Sequence, residues 1–174
     1  VVEYAHGKKA VNPILVRRSQ VMTIVEGYQP LSVGTKAPDF DLPATGGHRV
    51  KLSDYQGKNL IIVFYPKDQT PGCTQQLCAL RDDTELFKGL NTEFIASNPD
   101  SLESHERFAV NQSYKFPILV DAERTMAKAY QALKEDGRGI QRTVYILDGA
   151  GVVRYAKQGL PPDTELVEAI QSFS

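Results

Sequence analysis

The sequence predicts an α/β fold, with a central mixed β-sheet flanked by helices on both faces. Two observations carry that expectation. Four apolar runs of strand length recur along the chain, of the kind buried on both faces of a sheet, and helical patterns lie between them. A Gly-rich turn then leads into a hairpin strand and a closing helix, an order that implies a mixed sheet. The first run is residues 59–65 (N-L-I-I-V-F-Y), and 92–97, 116–120 and 142–147 repeat the type. Asp148-Gly149-Ala150-Gly151 is the turn, and 152–156 is the returning strand. A helix over 73–90 places Leu77, Leu80, Phe87 and Leu90 near one face. Asp100-Ser101-Leu102-Glu103 reads as a capping box that opens a helix through Phe108 and Val110. Residues 121–133 carry Met126, Ala129, Tyr130 and Leu133, and Leu166, Ile170 and Phe173 mark the last helix at i, i+4 and i+7. Gly46-Gly47 reads as a β-turn. Residues 1–30 hold two short apolar runs, Ile14-Leu15-Val16 and Val21 to Val25, which fit a hairpin or an extended arm equally. The expected division is an extension or arm over 1–30 and one domain over 31–174.

The chain has 174 residues, 41% of them hydrophobic and 24% charged, which suits one soluble globular domain. That length buries well over half of the unfolded surface without a metal or disulfide staple. Twenty basic residues against twenty-one acidic ones give a net charge of −1 with no block of like charge. A nucleic-acid binder shows a basic stripe, so that class and polybasic membrane docking are set aside. No apolar run approaches the roughly 18 residues of a membrane span. The chain starts at Val1 rather than Met, which permits an organelle, while the lack of a visible targeting segment favours the cytoplasm. Arg17-Arg18 is followed by an apolar stretch too short and too interrupted for an export signal.

Two cysteines, Cys73 and Cys78, are too few for a disulfide framework. In Tyr65-Pro66-Lys67-Asp68-Gln69-Thr70-Pro71-Gly72-Cys73 a strand ends, a Pro/Gly-rich loop follows, and Cys73 falls where a helix should begin. Free amide N–H groups and the positive end of a helix dipole favour thiolate there. An ordinary thiol is only a few per cent ionised at pH 7. Lowering its pKa by about two units takes roughly 2.7 kcal/mol, of which a helix start supplies about 1 kcal/mol. A cationic or hydrogen-bonding partner is therefore needed as well. Cys78 lies five residues on. On an intact helix the two Cα atoms sit roughly 8.7 Å apart and point about 140° away from each other, whereas a disulfide needs them within about 7 Å. A bond between them requires the first turns to unwind, so the pair would work as a switch rather than a static bridge. Two unrelated buried cysteines are the plainer reading of the spacing, and the position of Cys73 after a Pro/Gly loop argues against it.

Pro66-Lys67-Asp68-Gln69-Thr70-Pro71-Gly72-Cys73 resembles the active-site P-x-x-x-T-x-x-C of the peroxiredoxins. The extended text T-P-G-C-T-x-Q-x-C-x-L-R-D, ending at Asp82, is similar to the peroxiredoxin Q (bacterioferritin comigratory protein) subfamily. The resemblance opens at Gly34-Thr35-Lys36-Ala37-Pro38-Asp39-Phe40. It continues through Glu103-Ser104-His105, Phe116-Pro117-Ile118-Leu119-Val120-Asp121 and Ala129-Tyr130, and ends in Gly139-Ile140-Gln141-Arg142-Thr143-Val144-Tyr145-Ile146-Leu147-Asp148. It implies a thioredoxin-like fold and a thiol peroxidase for hydrogen peroxide and alkyl hydroperoxides, with no metal or organic cofactor. Cys73 would be the peroxidatic nucleophile. Thr70 would hydrogen-bond the thiolate and the peroxide, Pro66 would wall the sulfur off from water, and Arg142 would supply the missing cation. Cys73 sulfenic acid would condense with Cys78, the resolving cysteine, and thioredoxin or a similar dithiol would reduce the disulfide. The subfamily leans monomeric. Tyr65 is expected to line the pocket, and Gln76 has either a role there or a place on a solvated helix face.

Three departures accompany the resemblance. Phe94-Ile95-Ala96-Ser97-Asn98-Pro99-Asp100 stands where the family shows Gly-Val-Ser-x-Asp, so Asn98-Pro99 is expected to reshape a loop. The stretch between Tyr130 and Arg142 is shorter than in many members, and residues 1–30 have no counterpart in the minimal domain. His6, His48 and His105 are too scattered to build a zinc site with the cysteines, and His105 is expected to be solvated or to pack. Asp82-Asp83 reads as surface charge. The rival readings are a thioredoxin-fold copper metallochaperone, a redox-sensing interaction module and a disulfide oxidoreductase. Thr70 and Arg142 would have no task in the first, and the third prefers C-x-x-C.

Overall fold

The computed structural model describes residues 29–174. Residues 1–28 of the expected arm, with its two apolar runs and Arg17-Arg18, lie outside the described residues. Seven strands, β1 (Asp41–Ala44), β2 (His48–Lys51), β3 (Asn59–Phe64), β4 (Thr92–Asn98), β5 (Ile118–Val120), β6 (Thr143–Leu147) and β7 (Val153–Gln158), form one sheet in the order β2-β1-β5-β4-β3-β6-β7. The central β3, β4 and β5 are parallel, and antiparallel strands flank them on both sides. The expected mixed sheet is present. Four helices cover it: α1 (Pro71–Asp82), α2 (Leu102–Gln112), α3 (Thr125–Ala129) and α4 (Asp163–Phe173).

Apolar from Leu60 to Phe64, β3 builds both layers of the core at once, because successive side chains of a strand point to opposite faces. Leu60, Ile62 and Phe64 pack with Met126, Ala127, Tyr130 and Tyr145 on one face. Ile61, Val63 and Tyr65 pack on the other with Leu77 and Leu80 of α1, Phe108 of α2, and Leu166 and Ile170 of α4. Helices therefore lie on both faces, with α1 on the same side as α2 and α4.

Several element bounds differ from the sequence expectation for physical reasons. The helix expected over 73–90 starts at Pro71, whose missing N–H and fixed φ suit the first helical position. It gives way after Asp82 to a 3₁₀ turn over Asp83–Phe87, where two adjacent acidic residues oppose the negative end of the helix dipole. The cap of α2 is Ser101, whose side chain accepts from the Ser104 N–H at 3.2 Å. Asp100, one residue earlier, is thereby free for another partner. The helix expected over 121–133 contracts to α3, because the Asp121 carboxylate takes the N–H groups of Met126 and Ala127, at 3.1 and 2.8 Å. The Gly46-Gly47 turn joins β1 to β2, with φ of +89° and +76° that suit glycine. Its two strands escaped the sequence reading because each is short and partly polar, with Pro43 in the first. Among the described residues no helix is long and apolar enough to cross a membrane.

Candidate active site

Sheet register brings the site together. Phe64 of β3 lies opposite Thr143 of β6 in an antiparallel pair, so the chain leaves β3 at Tyr65 beside the point where Arg142 leads into β6. The Arg142 carbonyl accepts from the Gly159 N–H at 2.9 Å, which ties its backbone to the end of β7. This edge is the carboxyl end of the parallel strands, the side on which open α/β sheets bind their ligands.

Helix α1 starts over this edge, with Thr70 as its N-cap residue and a first helical bond from Thr74 N–H to the Thr70 carbonyl at 2.9 Å. Cys73 therefore stands in the first turn, where Gly72 and Cys73 present N–H groups with no acceptor inside the helix. Cys73, Gln76, Leu77 and Leu80 form the buried face of α1. Arg142 meets this face with both arms of its guanidinium. Nη2 donates to Cys73 Sγ at 3.1 Å, and Nη1 donates to Gln76 Oε1 at 2.7 Å. The structure thus brings Cys73 and Arg142 together across 69 residues of sequence. Gln76 is buried and orients the guanidinium, so the solvated-face reading of that residue is wrong.

The other expected residues sit as follows. The Thr70 hydroxyl donates to the Lys67 carbonyl at 3.1 Å. A hydroxyl has one proton, and in this structure the carbonyl three residues back takes it. Pro66 is half-buried and follows β3 directly. Tyr65 is fully buried, and its hydroxyl is committed to Asp68 at 2.6 Å. Burial and the neighbouring Asp68 push its phenol well above the ordinary tyrosine value.

Cys78 is half-buried and faces away from Arg142, towards the end of α2. Its thiol donates to Gln112 Oε1 at 3.4 Å and lies 3.4 Å from the Tyr114 hydroxyl. Arg81, on the last turn of α1, donates to the Gln112 carbonyl at 2.6 Å. Ser113 ends α2 in the left-handed region, φ +56°, and turns Tyr114 back beneath the helix. Burial, and then the bond to Cys78, raise the Tyr114 phenol above its ordinary value, so it is a neutral hydroxyl. Both cysteines are free thiols.

A further cluster went unnoticed in the sequence. Asp68 is buried and accepts from Tyr65, Asn98, Ser104 and His105. Burial pushes its carboxyl up, but the hydrogen bonds from His105, Tyr65 and Ser104 outweigh burial and hold it below the ordinary value. His105 is wholly buried with both ring nitrogens in hydrogen bonds, so the solvated-or-packing expectation for it gives way to a polar role. The only sequence hint was a carboxylate inside a Pro/Gly-rich loop, because three of its four side-chain partners lie 30 to 37 residues away.

Residues 33–156 match the model of the AhpC/TSA family. Peroxiredoxin Bcp of Bacillus subtilis (strain 168) is 36% identical over 149 residues, covering 82% of this chain and 95% of that protein. The chloroplastic peroxiredoxin Q of Triticum aestivum is 37% identical over 147 residues, covering 84% of this chain and 67% of its own. Among solved structures, the bacterioferritin comigratory protein of Xanthomonas campestris, described with its alkyl peroxide reduction activity, has a TM-score of 0.70 at 26% identity, covering 76% of this chain and 90% of that one. The chain belongs to the AhpC/TSA family. With relatives of the Bcp and Q type, it is a thiol-dependent peroxidase on a thioredoxin-like fold.

Proposed function

We propose that the protein reduces hydrogen peroxide and alkyl hydroperoxides through Cys73, with Cys78 as the resolving thiol and thioredoxin or a similar dithiol as reductant. The observation that carries this reading is the 3.1 Å contact between Arg142 Nη2 and Cys73 Sγ at the first turn of α1. A guanidinium hydrogen bond to sulfur is charge-assisted when the sulfur is a thiolate, and it answers the need for a cation that a helix start alone leaves unmet. The same cation stands where negative charge develops on the peroxide oxygens as the O–O bond breaks. It also weighs against copper, because a metal ion on Cys73 would have to share the sulfur with a guanidinium.

The chemistry balances in two steps. The Cys73 thiolate attacks one peroxide oxygen and the O–O bond breaks. Sulfur is oxidised to sulfenic acid, and the leaving oxygen takes a proton and departs as water or alcohol. The Thr70 hydroxyl donates its hydrogen bond to the Lys67 carbonyl, so its oxygen serves as acceptor for the peroxide O–H, and Pro66 shields the sulfur from water. Cys78 then condenses with the sulfenic acid, releasing water and forming the disulfide, and a dithiol restores both thiols by exchange. The second step requires the opening turns of α1 to come apart, because Cys73 and Cys78 face different partners on the intact helix. The protein acts as a monomer in this reading.

The test is one equivalent of hydrogen peroxide on fully reduced protein, followed by intact mass. Loss of both thiols with a mass drop of two hydrogens is expected. In Cys78→Ser the expected product is a gain of one oxygen on Cys73. Persistence of both free thiols would contradict the reading, and so would oxidation at Cys78 alone.

A further inference from the structure

We propose that Asp68 is a positioning residue for the peroxide reaction: its buried hydrogen bond with His105, completed by Tyr65, Asn98 and Ser104, holds the loop that presents Thr70 and Cys73. The inference rests on the peroxidase reading above and adds to it residues that never touch the peroxide.

The loop between β3 and α1 has little to hold it from within. Lys67 and Gln69 are exposed, and the Thr70 hydroxyl bonds inside the loop itself. Gln69 sits in the left-handed region at φ +60°, a conformation that a non-glycine residue keeps only where its surroundings over-determine it. Asp68, its neighbour, supplies that determination. Oδ1 accepts from Tyr65 Oη at 2.6 Å and Asn98 Nδ2 at 3.0 Å, and Oδ2 accepts from Ser104 Oγ at 2.8 Å and His105 Nδ1 at 2.6 Å. A carboxylate has about four lone-pair sites, and all are used. The Asp68 N–H donates to Asp100 Oδ2 at 2.8 Å, and the Asp100 N–H donates to Asn98 Oδ1 at 2.7 Å. One residue therefore joins the end of β3, the loop, the end of β4 and the first turn of α2. Asn98, at the departure from the family text, is one of its clamps.

His105 is held from both sides: Nε2 lies 3.0 Å from the Leu119 carbonyl and Nδ1 lies 2.6 Å from Asp68 Oδ2. Removing either partner strands a buried polar group.

Peroxide reduction needs the sulfur, the Arg142 donor and the Thr70 acceptor in register, and a misplacement of about 1 Å costs on the order of a hundredfold. Alkylation by iodoacetamide needs only a reachable thiolate. The experiment measures both second-order rate constants at one pH in a Cys78→Ser background, so that a single thiol reacts. Asp68→Asn is expected to slow the peroxide reaction about 10- to 100-fold while alkylation stays within about threefold. Tyr65→Phe keeps the ring and removes one donor, and Ser104→Ala removes another. Each should lower the ratio of peroxide to alkylation rate several-fold, and they carry the test if Asp68→Asn does not fold. A ratio equal to that of the parent protein in every folded variant would overturn the proposal and leave Asp68 purely structural. A parent protein no faster with peroxide than an ordinary free thiol would instead overturn the peroxidase reading.

Discussion

Cys73 stands between two pieces of chain that are held in opposite ways. Upstream, the loop from Tyr65 to Thr70 is tied to the sheet through a buried carboxylate with four donors. Downstream, α1 is attached by apolar packing of Leu77 and Leu80 and by part-buried side-chain bonds. Arg142 holds Cys73 and Gln76, while Cys78 and Arg81 lean on Gln112 and Tyr114. A sulfur bond at 3.4 Å is weak, whereas a buried carboxylate is costly to strip of its hydrogen-bond donors. The difference teaches how one site meets two demands. Peroxide chemistry needs a fixed loop, and disulfide formation needs a helix that lets go. Phe108 links the two regions, packing against Tyr65 on one side and edge-on against Tyr114 on the other.

The largest expected effect comes from removing the one residue that serves the nucleophile directly. Arg142→Ala should lower the rate constant for hydrogen peroxide by about 10²–10³, the usual loss for a donor aimed at developing charge, as read by stopped-flow competition. A smaller change sharpens the contrast from the other side. Tyr114→Phe removes a partner of Cys78 worth about 1 kcal/mol, so disulfide formation after the sulfenic acid should speed up about fivefold. Quenched-flow mass spectrometry checks this, and the initial peroxide step should not change.

The smallest effect lies behind α1. The 3₁₀ turn that follows it rests on α4, where Asp163 meets Asp83, and Asp163 Oδ2 is buried without a partner. Burial, and then the Asp83 carboxylate, push the Asp163 carboxyl up to about 7. The folded state therefore holds this proton more tightly than the unfolded chain. That contribution to stability is full below the ordinary carboxylate value of about 4 and is lost as pH rises to about 7. Thermal unfolding followed from pH 5 to pH 8 should show the decline. Asp163→Asn should flatten it and raise Tm at pH 8 by about 2–4 °C.

Much of this was legible in the sequence. The continuous apolar runs gave β3, β4 and β6, and the Pro/Gly loop placed Cys73 at a helix start. The arithmetic of thiol ionisation demanded a cation, which the family motif located at Arg142. What sequence could not deliver were bonds whose partners are chosen by sheet register and helix docking. Asn98 and His105 meet Asp68 because β4 and α2 end beside the loop, and no local periodicity encodes that meeting. Gln112 reaches Cys78 from the end of α2, and Tyr114 reaches it because Ser113 reverses the chain. The direction of the Thr70 hydroxyl was likewise invisible, since it depends on the turn made by Lys67 through Thr70.

Hydrogen exchange on the dithiol and disulfide forms tests the contrast between fixed loop and releasable helix most directly. The expected result is that amides from Thr74 to Ala79 lose protection in the disulfide form while the Asp68 N–H, bonded to Asp100, keeps its own. A helix α1 that stays protected in the disulfide form, or a loop that loosens with it, would contradict the account.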